Sequence, residues 1–120
     1  MQRILIAEDD PILASIYEIT LGEAGFDVLM CKDGVEALDR LESFSPDLLI
    51  TDFYMPLMTG GELIRAVRER RGTLTATLLA SAIDPSRLRE DERADARLEK
   101  PITPAGLLRG VRELERLHAA

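Results

Sequence analysis

Five short apolar runs, each followed by a residue able to start a helix, constrain this chain more than any other feature. The runs are Ile4–Ala7, Phe26–Met30, Leu48–Ile50, Leu74–Ala80 and Ala96–Leu98. All are too short for a buried helix. The clearest are nearly continuous rather than alternating, as strands covered on both faces must be. Asp10 precedes Pro11, Asp84 precedes Pro85 and Thr103 precedes Pro104, each time a capping oxygen followed by proline at the first helical position. Asp33 and Glu36 have the spacing of a capping box, and Thr59-Gly-Gly-Glu62 reads as one. Successive caps lie 23, 26, 25 and 19 residues apart, enough for a helix, a loop and a strand.

The segments after the caps carry helical spacing. Ile12, Ile16 and Ile19 share a face, as do Val35, Leu38 and Leu41, then Leu63, Ile64 and Val67, then Leu107, Val111 and Leu114. All four stripes are expected to be core. Five strand–helix pairs need crossover connections, and crossovers build parallel sheets. The expected architecture is an α/β domain of (βα)5 form, three layers deep, with helices on both faces.

Composition narrows the function classes. At 120 residues the chain fits one domain, 1–120, and 46% apolar residues suffice for a core without a structural metal or disulfide. A net charge of −7 repels a phosphate backbone unless basic groups cluster, so no direct nucleic-acid partner is expected. The single cysteine, Cys31, excludes an internal disulfide and fits a reducing compartment. No apolar run approaches 18 residues, and the chain starts directly into Arg3-Ile4, so no membrane span or leader is read. A cytoplasmic protein is expected.

In open parallel sheets, ligands bind beyond the carboxyl ends of the strands. Glu8 and Asp9 follow the first run, Asp52 the third, Ser81 the fourth and Lys100 the fifth. If the first and third strands are neighbours, three carboxylates converge, and they cannot all stay ionised without a cation or donors. Mg²⁺, which favours carboxylates plus water, suits such a set. Taken singly, each residue has a plainer reading. Glu8-Asp9-Asp10 is a solvated acidic run with Asp10 as a cap, Asp52 a turn residue before Met55-Pro56, and Ser81 a partner for its own loop. Lys100 resists this, because the chain has two lysines against thirteen arginines. Gathered on one sheet edge, the set reads as a site.

The segments Arg3-Ile-Leu-Ile-Ala-Glu8-Asp9, Asp52-Phe-Tyr-Met55-Pro56-Leu-Met-Thr-Gly60, Ser81-Ala82 and Lys100-Pro101 occur in order, at strand ends. In them the chain resembles the receiver domain of two-component response regulators, of the chemotaxis-regulator kind, over nearly its whole length. The resemblance implies a flavodoxin-like sheet of order 2-1-3-4-5 and a phosphorelay switch. Asp52 would be the phospho-acceptor, taking its phosphoryl group from a sensor histidine kinase or a histidine phosphotransfer protein. Asp9 would ligate Mg²⁺ directly and Glu8 through water, with Asp52 and the Tyr54 backbone carbonyl completing the protein share. Lys100 would pair with a phosphoryl oxygen and Ser81 would donate to another. A cis bond is implied at Lys100-Pro101, while Tyr54 and Ile83 would flank the site and tune phosphoryl lifetime. The downstream partner is left open, as is whether the chain acts alone or within a longer protein.

Two features depart from the family. Arg97 stands where an aromatic ring usually swings inward, and it is expected to stay at the surface with its head in water or paired to a carboxylate. The stretch from Ser81 to Lys100 is short, so the fourth helix is expected to be clipped to Pro85–Arg93. Both features favour an alternative, a degenerate receiver acting as a phosphorylation-independent protein-interaction module. A phosphatase would need a general acid where Tyr54 stands, plus a cap domain. A flavin-binding flavodoxin would need a phosphate loop where Glu8-Asp9-Asp10 stand. The chain is therefore expected not to be an enzyme beyond Mg²⁺-dependent self-phosphorylation and slow self-dephosphorylation.

Overall fold

Four of the five expected strands sit within one residue of their apolar runs: β1 Arg3–Ala7, β2 Asp27–Cys31, β3 Leu48–Thr51 and β5 Ala96–Glu99. The remaining strand, β4, spans Ala76–Ser81 and leaves Leu74 exposed in a 3-10 turn, because Gly72–Leu74 still belongs to the exit from the preceding helix. The computed structural model describes residues 2–119; Met1 and Ala120, the ends of the expected 1–120 domain, lie outside it. All strand pairs are parallel and the order is β2-β1-β3-β4-β5.

Both sheet faces are covered, which is why the strand sequences hardly alternate. Ile4, Ile6, Leu48, Ile50, Leu78 and Ala80 turn toward helices α1 (Pro11–Glu23) and α4 (Pro104–Ala119). Leu5, Ala7, Leu49 and Leu79 turn the other way, toward α2 (Gly34–Phe44) and α3 (Gly60–Arg71). Fully burying a large aliphatic side chain contributes about 1.5–3 kcal/mol, against about 1 kcal/mol for a helix cap. Stability therefore resides in the sheet, and the caps set where helices begin. Asp10 accepts from the Ile12 and Leu13 amides, Asp33 from Glu36, and Thr59 and Glu62 form a reciprocal capping box.

Three expectations fail. Ile12 (72% exposed) and Ile19 (58%) face solvent with Ile16, while α1 buries Leu13, Tyr17 and Leu21 instead. The helix is apolar on more than one side, so spacing alone could not say which stripe faces the sheet. Val35 is exposed for a similar reason, since α2 packs through Gly34, Ala37 and Leu41. The fourth helix over Pro85–Arg93 is absent. Two 3-10 turns, Pro85–Arg87 and Glu90–Glu92, replace it, leaving four α-helices among the described residues. Within Pro85–Arg93 only Leu88 is apolar. One buried side chain makes no stripe, and a helix this short cannot offset the cost of its own nucleation.

Candidate functional site

The register of β1 on β3 builds the site. Ala7 lies level with Thr51, so Glu8 and Asp9 leave β1 beside Asp52 as it leaves β3. One ligand oxygen from each of Glu8, Asp9 and Asp52 lies within 4.8 Å of the others, a spacing able to hold a metal ion. The three differ in setting. Glu8 is 3% exposed and Asp52 is buried, while Asp9 is open to solvent. On the far side of β3, Ser81 ends β4 level with Glu99, which puts Lys100 at the same edge. The Lys100 ammonium donates to Glu8 Oε1 at 3.3 Å and to Asp52 Oδ2 at 3.1 Å. The bond before Pro101 is cis, as expected.

Electrostatics explain why an ammonium sits there. Burial pushes the Glu8 carboxyl above its ordinary value; the Asp10 amide, at 3.2 Å, and the Lys100 charge only partly offset this. Burial also works against the Lys100 charge, but the Asp52 hydrogen bond and the Glu8 and Asp52 charges outweigh it and raise the pKa. One cation faces three carboxylates. The pocket has a deficit of positive charge that a divalent ion would fill, and Glu8, Asp9 and Asp52 are the residues that would hold it.

The backbone around Asp52 is fixed tightly. Its Oδ1 accepts from the Phe53 amide at 2.7 Å, and its carbonyl accepts from Thr51 Oγ1 at 2.8 Å. Gly60 at the start of α3 donates to the Phe53 carbonyl at 2.8 Å. A Cβ on Gly60 would stand 2.0 Å from the Asp52 carbonyl oxygen, a backbone atom that cannot swing away. Gly60→Ala is therefore expected to cost about 2 kcal/mol through overpacking and to displace Asp52. Urea unfolding and Mg²⁺ titration of the variant should both show losses; a loss in unfolding alone would mean that the site tolerates the shift.

Other expected residues are placed as follows. Ser81 is buried, and its Oγ accepts from the Ile83 amide at 3.2 Å. Tyr54 is exposed, its ring edge-on to Phe53. Ile83 is 3% exposed, packed in the core cluster with Leu79 and Leu88, so of the two lifetime candidates only Tyr54 has its side chain at the surface. Arg97 departs from expectation. The residue is half-buried and makes no ion pair among the described residues: Nη2 donates to the Ile83 carbonyl at 2.6 Å, and Nε is buried without a partner. The physical reason is the course of the chain after β4, which brings the Ile83 carbonyl, two residues past the end of that strand, within reach of the β5 side chain. Sequence reasoning also missed Tyr17, whose buried hydroxyl lacks a partner and whose phenol is pushed up by burial while feeling the charges of Lys100, Glu8 and Asp52. A tyrosine on the helix after the acidic run was the available signal. Cys31, buried with its thiol pushed up to about 12, is chemically quiet.

Comparison with known proteins agrees with this geometry. A family model described as "Response regulator receiver domain" matches residues 4–112. The DNA-binding response regulator MtrA of Mycolicibacterium smegmatis is 35% identical over 113 residues, covering 92% of this chain and 49% of that protein. The chain thus spans about half the length of that relative. Among solved structures, the chemotaxis response regulator CheY4 of Vibrio cholerae superposes with a TM-score of 0.86 at 29% identity, covering 95% of this chain and 98% of that one. The response regulator TrrA of Thermotoga maritima, solved in complex with Mg²⁺ and beryllofluoride, gives 0.83 at 28% identity, covering 95% and 99%. No described helix is long and apolar enough to cross a membrane.

Proposed function

The chain belongs to the response regulator receiver domain family, and from that premise we propose that it is a phospho-accepting receiver in a two-component phosphorelay, with Asp52 as acceptor. One observation carries this reading. One oxygen from each of three carboxylates lies within 4.8 Å of the others, with the Lys100 ammonium bonded to Glu8 and to Asp52, the residue that follows β3. A degenerate receiver would have no use for so costly an arrangement of like charges.

In this reading, one Asp52 carboxylate oxygen attacks the phosphorus of a phosphohistidine. The P–N bond breaks as the P–O bond forms, and the imidazole departs with the electron pair and takes up a proton. Lys100 turns from Asp52 and Glu8 to an oxygen of the transferred group, and Ser81 donates to another. Asp9, Asp52 and the Tyr54 carbonyl would hold Mg²⁺, with Glu8 acting through water, and the ion would supply neutralisation of the charge on the phosphoryl oxygens. The Tyr54 ring, exposed beside the site, hinders the approach of hydrolytic water. The solvent-facing stripe Ile12, Ile16 and Ile19 begins two residues after Asp10 and offers the phosphodonor an apolar landing next to the pocket.

The reading is tested by titrating beryllofluoride, a phosphoryl mimic, with and without Mg²⁺. Binding that requires Mg²⁺ and shifts the Phe53 amide is expected; no binding in either condition would favour the degenerate alternative. The two neighbouring aspartates should separate in the same assay. Asp9→Ala is expected to weaken Mg²⁺ binding at least about tenfold, since losing even an outer partner of a metal ligand costs that much. Asp10→Ala should instead cost about 1 kcal/mol of stability, because its oxygen caps α1. A larger Mg²⁺ effect from Asp10→Ala would mean that the ligand register is wrong.

A further inference from the structure

The segment after β4 is held at one residue from two sides. The Ile83 amide donates to Ser81 Oγ, and the Ile83 carbonyl accepts from Arg97 Nη2. Arg97 lies on β5 level with Leu79 of β4, so its side chain reaches beyond the end of the neighbouring strand to hold the loop. The bond is short and charge-assisted, the strong kind. Yet the same guanidinium leaves its Nε buried with no partner, and an unpaired buried donor disfavours the state that contains it. This arrangement therefore combines one firm restraint with one built-in cost. Beyond Ile83 the segment forms 3-10 turns above a cavity of about 240 Å³ lined by Leu79, Pro85, Leu88, Ala94, Arg93 and Arg97, and its far end is held separately by Arg68 Nη2, which donates to the Arg93 carbonyl at 2.8 Å.

We propose that Arg97 is a releasable tether: it holds the Ile83 carbonyl while Asp52 is unmodified, and swings outward when Ser81 turns to a phosphoryl oxygen. The proposal rests on the phospho-acceptor reading above. A Ser81 hydroxyl that moves toward Asp52 either abandons the Ile83 amide or drags residue 83 with it. The tether is released by the second course: residue 83 moves with Ser81, its carbonyl is displaced, and a 2.6 Å bond does not survive such a shift. Once free, the guanidinium regains water on all its donors. Arg93 and Arg97 then rim an apolar cavity, a surface that fits a partner segment carrying a carboxylate next to an apolar side chain. The movement runs opposite to the inward swing of an aromatic ring: the phosphorylated form exposes a charge here and does not bury a ring.

The Arg97 Nε–H reports on the tether directly. In the unmodified protein it should give a slowly exchanging ¹⁵N–¹H signal, assigned through bonds. Mg²⁺ with beryllofluoride should shift the Phe53 and Ile83 amides and abolish that protection. Arg97→Met keeps the stem without the donors, and should bind beryllofluoride at least about fivefold more tightly, the lower end of typical coupling between sites. A shifted Phe53 amide with Arg97 Nε–H still protected, or an unchanged affinity in Arg97→Met, would overturn the tether while leaving the phospho-acceptor reading intact. No shift at Phe53 in the wild type would overturn both. The exchange measurement needs no variant, so it stands even if Arg97→Met folds poorly.

Discussion

Asp52→Asn is expected to take up no phosphoryl group from acetyl phosphate or from a histidine kinase, while remaining folded. An amide cannot form the acyl phosphate, because its nitrogen is conjugated with the carbonyl and its oxygen carries no full negative charge. The structure gives the substitution little reason to unfold the domain. Asparagine matches aspartate in size, and its Oδ1 can still accept from the Phe53 amide, now bonded at 2.7 Å. At the other oxygen, now 3.1 Å from the Lys100 ammonium, an NH₂ group would face a second donor, so the lysine should turn wholly to Glu8. Removing one of three like charges offsets that lost bond. Phosphoprotein gels and urea unfolding, run on the same preparation, check both halves. Labelling of Asp52→Asn at the wild-type rate would move the acceptor to Glu8 or Asp9.

The sheet was legible in the sequence because its strands are buried on both faces, which forces continuous apolar runs that no surface helix would carry. The caps were legible for a different reason: Asp10, Asp33, Thr59, Asp84 and Thr103 act locally, each bonding an amide two or three residues ahead. Which stripe of α1 faces the sheet was not legible. Ile12, Ile16 and Ile19 have helical spacing as good as that of Leu13, Tyr17 and Leu21, and only tertiary packing chooses between them. The charged segment after β4 was misread on its cap and proline, since a start signal says nothing about whether apolar residues follow to sustain a helix. The convergence of Glu8, Asp9, Asp52 and Lys100 followed from strand ends and neighbour order. The hold of Arg97 on Ile83 could not follow, because it depends on an irregular loop whose path no periodicity describes.

Lys100→Met should destabilise the protein by about 3 kcal/mol at neutral pH, through charge and not through packing. Methionine keeps most of the stem, so the loss is the ammonium that faces Glu8 and Asp52. Breaking a buried pair leaves an uncompensated charge and costs roughly 3–5 kcal/mol; the lower figure applies because the Lys100 side chain keeps 22% exposure. For a domain of this size that lowers Tm by roughly 10 °C. The pH dependence separates the causes. Glu8 already has a raised pKa, chiefly from burial, with the Lys100 charge among the effects that hold it down. In the variant it rises further. A carboxyl whose folded pKa exceeds its unfolded 4.5 favours the folded state while protonated, and that advantage disappears as pH rises through the folded value. Below pH 4.5 Glu8 is neutral in either protein, and the gap between them should be small. It should widen as pH climbs through the raised Glu8 pKa. The wild-type lysine, raised above 10.5, contributes its stability below that value and loses it as pH passes its folded pKa, so the gap should close again in strong alkali. Saturating Mg²⁺ should restore part of the loss near pH 7.5, because the three carboxylates then regain a cation. Urea unfolding at pH 5 and pH 8, with and without Mg²⁺, measures all of this. An equal gap at both pH values, insensitive to Mg²⁺, would mean that Lys100 stabilises the fold by its stem and that the charge deficit of the pocket is not what holds it in place.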